Sequence, residues 1–243
     1  MCTLVLLRRP DHPWPLLLAA NRDERLDRDW DPPAAHWPDR PGVVAGRDRA
    51  GGGTWMGVNR AGVVAAVLNR PGSLGPAPGK RSRGELPLLA LDHASAAAAA
   101  EALAALDAGA YRPFNLVVAD ARNAVFLRGP GVGRPHGVEV SPGTHMITAH
   151  DPDDPASRRI ARHLPRFRAV RPPEPDADAG WEAWRAVLAD RSGPAGTEIN
   201  VPSQGGFGTG CASLLALAAG GGMSWLFAAG PPDLAPFRPV SLA

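Results

Sequence analysis

Met1-Cys2-Thr3-Leu4-Val5-Leu6-Leu7 opens the chain, and Leu16-Leu17-Leu18-Ala19-Ala20 follows after a proline-punctuated turn over residues 8 to 15. Two short aliphatic runs separated by proline and charge read as a β-hairpin. The second run leads into Asn21-Arg22-Asp23-Glu24, four polar residues at the end of a buried strand. That placement suits either a site at a sheet edge or an ordinary solvated turn.

Outward from this hairpin, Asp27 to Pro41 carries Trp30, Trp37 and several prolines without periodicity and reads as an extended surface loop. Gly46-Arg47-Asp48 and Gly51-Gly52-Gly53 precede a second hairpin, Thr54 to Asn59 and Val63 to Leu68, which turns at Arg60-Ala61-Gly62 and ends at Asn69. Gly72 to Gly84 is a Gly- and Pro-rich loop with Lys80, Arg81 and Arg83. Helices are expected over Glu85 to His93 and, capped by Ser95, up to Leu106. Short strands follow at Asn115 to Ala119, Ala124 to Leu127, Val138 to Val140 and His145 to Thr148. Helices at Pro155 to Phe167 and Trp181 to Leu188 flank a connector over Arg171 to Gly180, and strands return at Gly206 to Leu217 and Met223 to Ala228. Segregated blocks of hairpins and helices indicate antiparallel sheets with helices on their outer faces, an α+β class, rather than βαβ units. Gly46 to Gly53 lacks the spacing and the strand-to-helix context of a dinucleotide fingerprint or a P-loop.

With 243 residues, 44% of them apolar, the chain has enough material for a sizeable core, and one compact domain over 1–243 is expected. A net charge of +2 from 26 basic and 24 acidic residues spread along the sequence leaves no footprint for nucleic acid or an anionic membrane. Cys2 and Cys211 are too few for a disulfide framework and have no metal-ligand spacing, so a reducing compartment fits. Leu4 to Leu7 is cut short by Arg8, Arg9, Pro10 and Asp11, which excludes a signal-peptide core. No stretch is long enough to span a bilayer, and a cytoplasmic protein acting on a small-molecule substrate or ligand is the expectation.

Cysteine at position two carries the chemistry. Met1 is ordinarily removed before a small side chain, leaving a thiol and a free α-amine on one residue. The amine, with a reference pKa of about 7.7 to 8.0, can take the thiol proton. Arg22 would favour the thiolate, Asp23 would hold the amine, and Asn69 would supply a side-chain amide to an oxyanion. The plainer alternatives are a small buried residue at a strand start for Cys2 and a turn residue before Arg70-Pro71-Gly72 for Asn69.

Met1-Cys2-Thr3-Leu4, Asn21-Arg22-Asp23-Glu24, Gly46-Arg47-Asp48 and Gly52-Gly53-Thr54-Trp55-Met56-Gly57-Val58-Asn59, in that order, resemble the NRDE-domain family, which includes the transport and Golgi organisation 2 proteins. The resemblance covers residues 1 to about 72 and touches Pro113-Phe114-Asn115-Leu116 and Gly206-Phe207-Gly208-Thr209. The family is similar to N-terminal cysteine amidases such as bile salt and penicillin V hydrolases. The resemblance thus implies a four-layer αββα N-terminal-nucleophile (Ntn) hydrolase-like sandwich, with Cys2 as nucleophile and Asn69 as oxyanion donor. Two departures stand out. The amidases separate the Arg and Asp that are adjacent here, and where they carry a later Asn and Arg this chain has Met146-Ile147-Thr148-Ala149-His150 and Thr209-Gly210-Cys211.

The first functional reading is therefore hydrolysis of an amide or thioester through Cys2, with no cofactor. The alternative implied by the resemblance is a non-catalytic protein that binds or traffics haem, a lipid or an acyl-CoA on the same fold. His150, His145 or Cys2 would then ligate haem iron, and Lys80, Arg81 and Arg83 would meet CoA phosphates; the plainer alternatives are structural histidines, with no c-type haem motif present, and a solvated basic loop. A third arrangement uses Cys2 with His150 and Asp151, and Cys211 reads as a core thiol.

Overall fold

A computed structural model describes residues 2–176 and 180–242; the expected connector over Arg171 to Gly180 lies partly outside them. In the first half the elements are β1 (Thr3–Arg8), β2 (Leu16–Arg25), β3 (Trp30–Ala34), β4 (Val43–Asp48), β5 (Met56–Asn59), β6 (Val64–Asn69), α1 (Glu85–Leu91) and α2 (Ala96–Ala104). They continue as β7 (Phe114–Ala119), β8 (Ala124–Gly129), β9 (His136–Glu139), β10 (Gly143–Ile147), α3 (Arg158–Ala169), α4 (Glu182–Leu188), β11 (Phe207–Leu217), β12 (Met223–Ala228) and β13 (Arg238–Pro239). They fall into two compact units, Met1–Asp27 with Pro142–Val240, and Arg28–Ser141 with Ser241–Ala243.

The first unit is built on an antiparallel sheet in the order β10-β1-β2-β11-β12-β13. The opening hairpin forms from the two aliphatic runs, Leu4 facing Ala20 and Leu6 facing Leu18. One face, carrying Val5, Leu17, Ala19, Met146, Ala212 and Leu214, packs on Ile160, Leu164 and Phe167 of α3 and Trp184 and Leu188 of α4. Phe167 meets Trp184 edge-on with ring centroids 5.3 Å apart, the geometry that aligns a ring edge with a neighbouring face. Ser157 starts α3 by accepting from the Ile160 N–H.

His163 of α3 is wholly buried in this unit. Its Nε2–H donates to the Thr197 carbonyl at 2.8 Å and Nδ1 accepts from Arg166 at 2.9 Å, which fixes a neutral ring. Burial, with Arg166 and Arg162 nearby, pushes its pKa down from 6.5 to about 4. The unfolded chain takes up a proton near pH 6.5 that the folded chain refuses until about pH 4. The stability tied to His163 is therefore complete above pH 6.5 and is lost between 6.5 and 4. Thermal melts of wild type and His163→Gln should differ in Tm at pH 7.5 and converge as the pH approaches 4; a constant difference would refute the assignment.

The second unit is a meander, β3-β4-β5-β6-β7-β8-β9, with every strand antiparallel to its neighbour. Val63, Ala65, Phe114, Leu116 and Val118 pack on Leu86 and Leu91 of α1 and Ala99 and Leu103 of α2. The stretch expected to be a loop between Asp27 and Pro41 contains β3, paired irregularly with β4. Its Pro32 and Pro33 hide the strand from sequence, and they are tolerated because β3 is an edge strand needing no second ladder. Asp31 fastens that edge, accepting from Arg47 at 2.7 Å and from Arg49. Hydrogen bonds from Arg49, then Arg47, hold the Asp31 carboxyl near a pKa of about 2 against desolvation.

The glycines of the Gly46-Arg47-Asp48 and Gly52-Gly53-Thr54-Trp55 stretches serve this unit's packing. A Cβ on Gly46 would lie 2.4 Å from the Trp55 ring, and one on Gly53 would lie 2.3 Å from the Gly84 carbonyl carbon. Trp55 meets Trp30 edge-on at 5.8 Å. Asp48 accepts from the Gly51 N–H at 2.9 Å and from Arg28 at 2.7 Å, closing the glycine turn. Asn59 donates to the carbonyls of Leu91 and His93 and accepts from the Val63 N–H, so it joins the turn to the end of α1.

Candidate functional site

Asn21-Arg22-Asp23-Glu24 lies within β2 and not in a turn after it. The strand continues to Arg25 because β11 pairs with it along its whole length, from Leu16 opposite Leu217 to Arg25 opposite Phe207, with a bulge between Thr209 and Cys211. Asn21, Arg22 and Asp23 are all buried. Successive side chains of a strand point to opposite faces, so the adjacent Arg and Asp serve different sides of the sheet.

Thr3 pairs with Asn21, and Asn21 with Ala212. One residue further, Cys211 pairs with Arg22, and continuing the β1 register sets Cys2 at the other side of Arg22. The guanidinium-bearing residue is thus flanked by the two cysteines on the face away from α3 and α4. Asn21 faces those helices, its Nδ2 donating to the carbonyls of Leu188 at 3.0 Å and Ile199 at 2.9 Å. That residue is a structural pin for the end of α4.

Asp23 shares the helix-covered face. Its Oδ2 accepts from Arg159 Nη1 at 2.8 Å and its Oδ1 from the Thr209 hydroxyl at 2.7 Å. The same Nη1 donates to the Thr3 hydroxyl at 2.9 Å. The Cys2 thiol donates to the backbone carbonyl of Asp23 at 3.7 Å. Glu24 stands outside the cluster and accepts from the Arg25 N–H.

Cys2 keeps partial solvent contact, yet the protein packed around its sulfur pushes the thiol pKa up. The N-terminal amine lowers it, the Asp23 carboxylate raises it further, and Arg22 and the hydrogen bond to the Asp23 carbonyl lower it. Cys211 is pushed up to about 12, mainly by burial, with Cys2 and Asp23 acting the same way and Arg22 against. At neutral pH both sulfurs rest as thiols, so nucleophilic use of Cys2 requires a base to remove its proton during the reaction.

Cys2 and Arg22 therefore meet on one face at the end of the first unit's sheet, while the Asp23 carboxylate lies on the helix-covered face and Asp23 meets Cys2 through its backbone carbonyl. Asn69 ends β6 in the second unit, opposite Phe114. Its register puts it on the side of Ala65 and Val67, which packs on the helices. The neighbouring Asn115, fully buried on the opposite face, accepts from Arg70 Nη1 at 2.5 Å. The oxyanion role of Asn69 rests on the resemblance alone.

The residues named for other readings have structural partners. His145 Nδ1 is 2.7 Å from Asp153, and His150 Nδ1 is 3.4 Å from Asp154. Lys80 donates to the Gly109 carbonyl, Arg81 pairs with Glu85 at 2.7 Å, and Arg83 donates to the Ser73 carbonyl at 2.6 Å and Pro113 at 3.2 Å. These contacts tie the basic loop to its own surroundings. A cavity of about 170 Å³ lies beside α3, lined by Thr148, His150, Ser157, Arg158 and Arg159 among others.

A family model described as transport and Golgi organisation 2 matches residues 1–223. The chain belongs to that family. Among solved structures, the family member described here is similar to the Caenorhabditis elegans ortholog of N-acylethanolamine-hydrolyzing acid amidase at a TM-score of 0.61 and 10% identity, over 88% of this chain and 92% of that one. It is also similar to two forms of the conjugated bile acid hydrolase of Clostridium perfringens. The cysteine-to-alanine mutant matches at a TM-score of 0.52 and 11% identity, and an arginine-to-leucine variant at 0.54 and 12%, each over 99% of this chain and 97% of the other. A search of curated proteins found no match. The chain thus has the α+β, Ntn-hydrolase-like fold that the family resemblance implied. Among the described residues no helix is long and apolar enough to cross a membrane.

Arg159 and Thr209 were not legible as site residues. Arg159 is one of several arginines on an amphipathic helix and lies 136 residues from Asp23 in sequence. Thr209 fell in a recognisable stretch, but only the β2 to β11 register gives it a task.

Proposed function

We propose that the chain is an N-terminal-cysteine hydrolase that cleaves an amide or thioester of a small molecule through Cys2 once Met1 is removed. The observation that carries this reading is the pairing of Cys2 with Arg22 at one sheet end, where the backbone carbonyl of the buried Asp23 receives the Cys2 thiol.

In the proposed cycle the free α-amine of Cys2 takes the thiol proton as Sγ attacks the substrate carbonyl carbon. The amine then gives that proton to the departing nitrogen or sulfur, leaving a thioester between Cys2 and the acyl group. Water, deprotonated by the same amine, attacks the thioester carbonyl, and the carboxylic acid and the thiol are released. Arg22 lowers the cost of the developing thiolate. Asp23 orients the amine, and its pairing with Arg159 keeps that carboxylate in one position. A reducing, cytoplasmic setting belongs to the same reading, since Cys2 and Cys211 are both free thiols.

The test joins intact mass to turnover. Purified protein should be one methionine residue short, and it should release acid from at least one member of a panel of N-acyl amides and acyl thioesters. Full retention of Met1, or processed protein inert on the whole panel while binding haem or an acyl-CoA, would replace this reading by that of a carrier on the same fold.

A further inference from the structure

Beneath the sheet end, Arg159 and Asp23 form a charge pair almost wholly out of water, with side-chain exposures of 7% and 0%. Taking two charges out of water is costly, and a buried pair gains stability only when good geometry and further hydrogen bonds repay that cost. An apolar pair of similar volume would stabilise the core as well or better. The position of the pair is what distinguishes it. One guanidinium nitrogen holds both the Asp23 carboxylate at 2.8 Å and the hydroxyl of Thr3, the residue next to Cys2, at 2.9 Å. The second carboxylate oxygen is held by Thr209, whose own oxygen accepts from the Val201 N–H at 2.8 Å. The backbone carbonyl of Asp23 in turn receives the Cys2 thiol.

We propose that Arg159 is a positioning residue of the Cys2 site, which locks Asp23 and Thr3 into one hydrogen-bonded unit and so sets the charge and geometry that Cys2 meets. The inference rests on Cys2 being the nucleophile. Arginine suits the task because it stays charged, and its Nη1 alone supplies both bonds. The charged and titratable groups acting on Cys2 are the N-terminal amine, Asp23 and Arg22, with Cys211 beyond Arg22. Asp23 disfavours the thiolate, and Arg159 offsets Asp23, so removal of Arg159 leaves a carboxylate uncompensated on the very residue whose carbonyl receives the thiol.

The experiment is alkylation of Cys2 by iodoacetamide at pH 8, followed on the N-terminal peptide by mass spectrometry. Arg159→Met should slow Cys2 alkylation roughly tenfold, the effect of one opposite charge on a nearby ionising group. Asp23→Asn and the double variant should react alike, at or above the wild-type rate, because the arginine acts through the aspartate. Arg159→Lys should stay near wild type; should Arg159→Met fail to fold, the contrast of Arg159→Gln, slow, with Arg159→Lys, near wild type, decides the matter. Equal rates in wild type and the neutral variant, or independent effects of the two substitutions, would overturn the inference and leave Arg159 a purely structural residue. Alkylation needs no substrate. The expected rates in a protein without turnover would sink the hydrolase reading alone, whereas turnover with unchanged alkylation would sink this inference alone.

Discussion

Cys2→Ala is expected to abolish amide or thioester turnover, by a factor on the order of 10⁴ or more, with the fold intact. Loss of the nucleophile removes the covalent route itself, and the remaining groups have no comparable path. The change is small in volume and sits before β1 at a partly exposed position, so unfolding free energy should move by about 1 kcal/mol or less. Ligand affinity should largely survive, because the change removes one sulfur atom and leaves the surrounding residues in place. Steady-state kinetics read the first expectation, and calorimetric titration of an unreactive substrate analogue reads the second. A Cys2→Ala protein that still turns over substrate would remove the N-terminal mechanism altogether. One that loses activity together with its thermal transition would show that Cys2 serves packing.

The largest effect on stability is expected from Gly53→Ala. The new methyl would stand 2.3 Å from the Gly84 carbonyl carbon and 2.4 Å from its oxygen, so two backbones must separate. Parting them also strains the hydrogen bond from the Thr54 N–H to the Gly84 carbonyl, now 2.8 Å. Overpacking against atoms that cannot rotate away, with a weakened buried hydrogen bond, should cost about 3 kcal/mol or more. Gly52→Ala is the control: it has φ +71° but open space around the added carbon, and should cost only about 1 kcal/mol, the strain of a left-handed residue. Denaturant titration of the two variants should separate them clearly. Equal losses would mean that backbone conformation, and not the close approach to Gly84, makes glycine necessary at position 53.

These two experiments probe separate classes of the residues that carry the family resemblance. Gly46, Gly53, Trp55 and Asn59 fix the second unit through close approach and hydrogen bonding. Cys2 and Arg22 meet at the sheet end of the first, with the Asp23 carboxylate on its helix-covered face. Within Asn21-Arg22-Asp23-Glu24 the division is finer still, since Asn21 pins the end of α4, Arg22 stands between two thiols, Asp23 binds Arg159 and Thr209, and Glu24 stays outside the cluster. A motif read as one functional word is four residues with different physical tasks.

What the sequence by itself determined is local. The opening hairpin, the second hairpin around Arg60-Ala61-Gly62, the Ser95 cap and the strand Met223–Ala228 follow from alternation, turn residues and capping, each encoded within a few positions. The candidate nucleophile was equally legible, because the chemistry of a second-position cysteine needs only its place in the chain. Tertiary structure alone decided three things. It made Pro32 and Pro33 part of an edge strand, because Asp31 found Arg47 and Arg49 across the ladder. It carried β2 through Arg25, because β11 was long enough to pair with it. It gave Asp23 a cation 136 residues away, since the helix face that meets a sheet is chosen by burial of Ile160, Leu164 and Phe167, and the arginine beside them follows that choice. Period and propensity act over neighbouring residues, whereas the partner of a buried charge is set by which surfaces pack, and no short stretch of sequence contains that information.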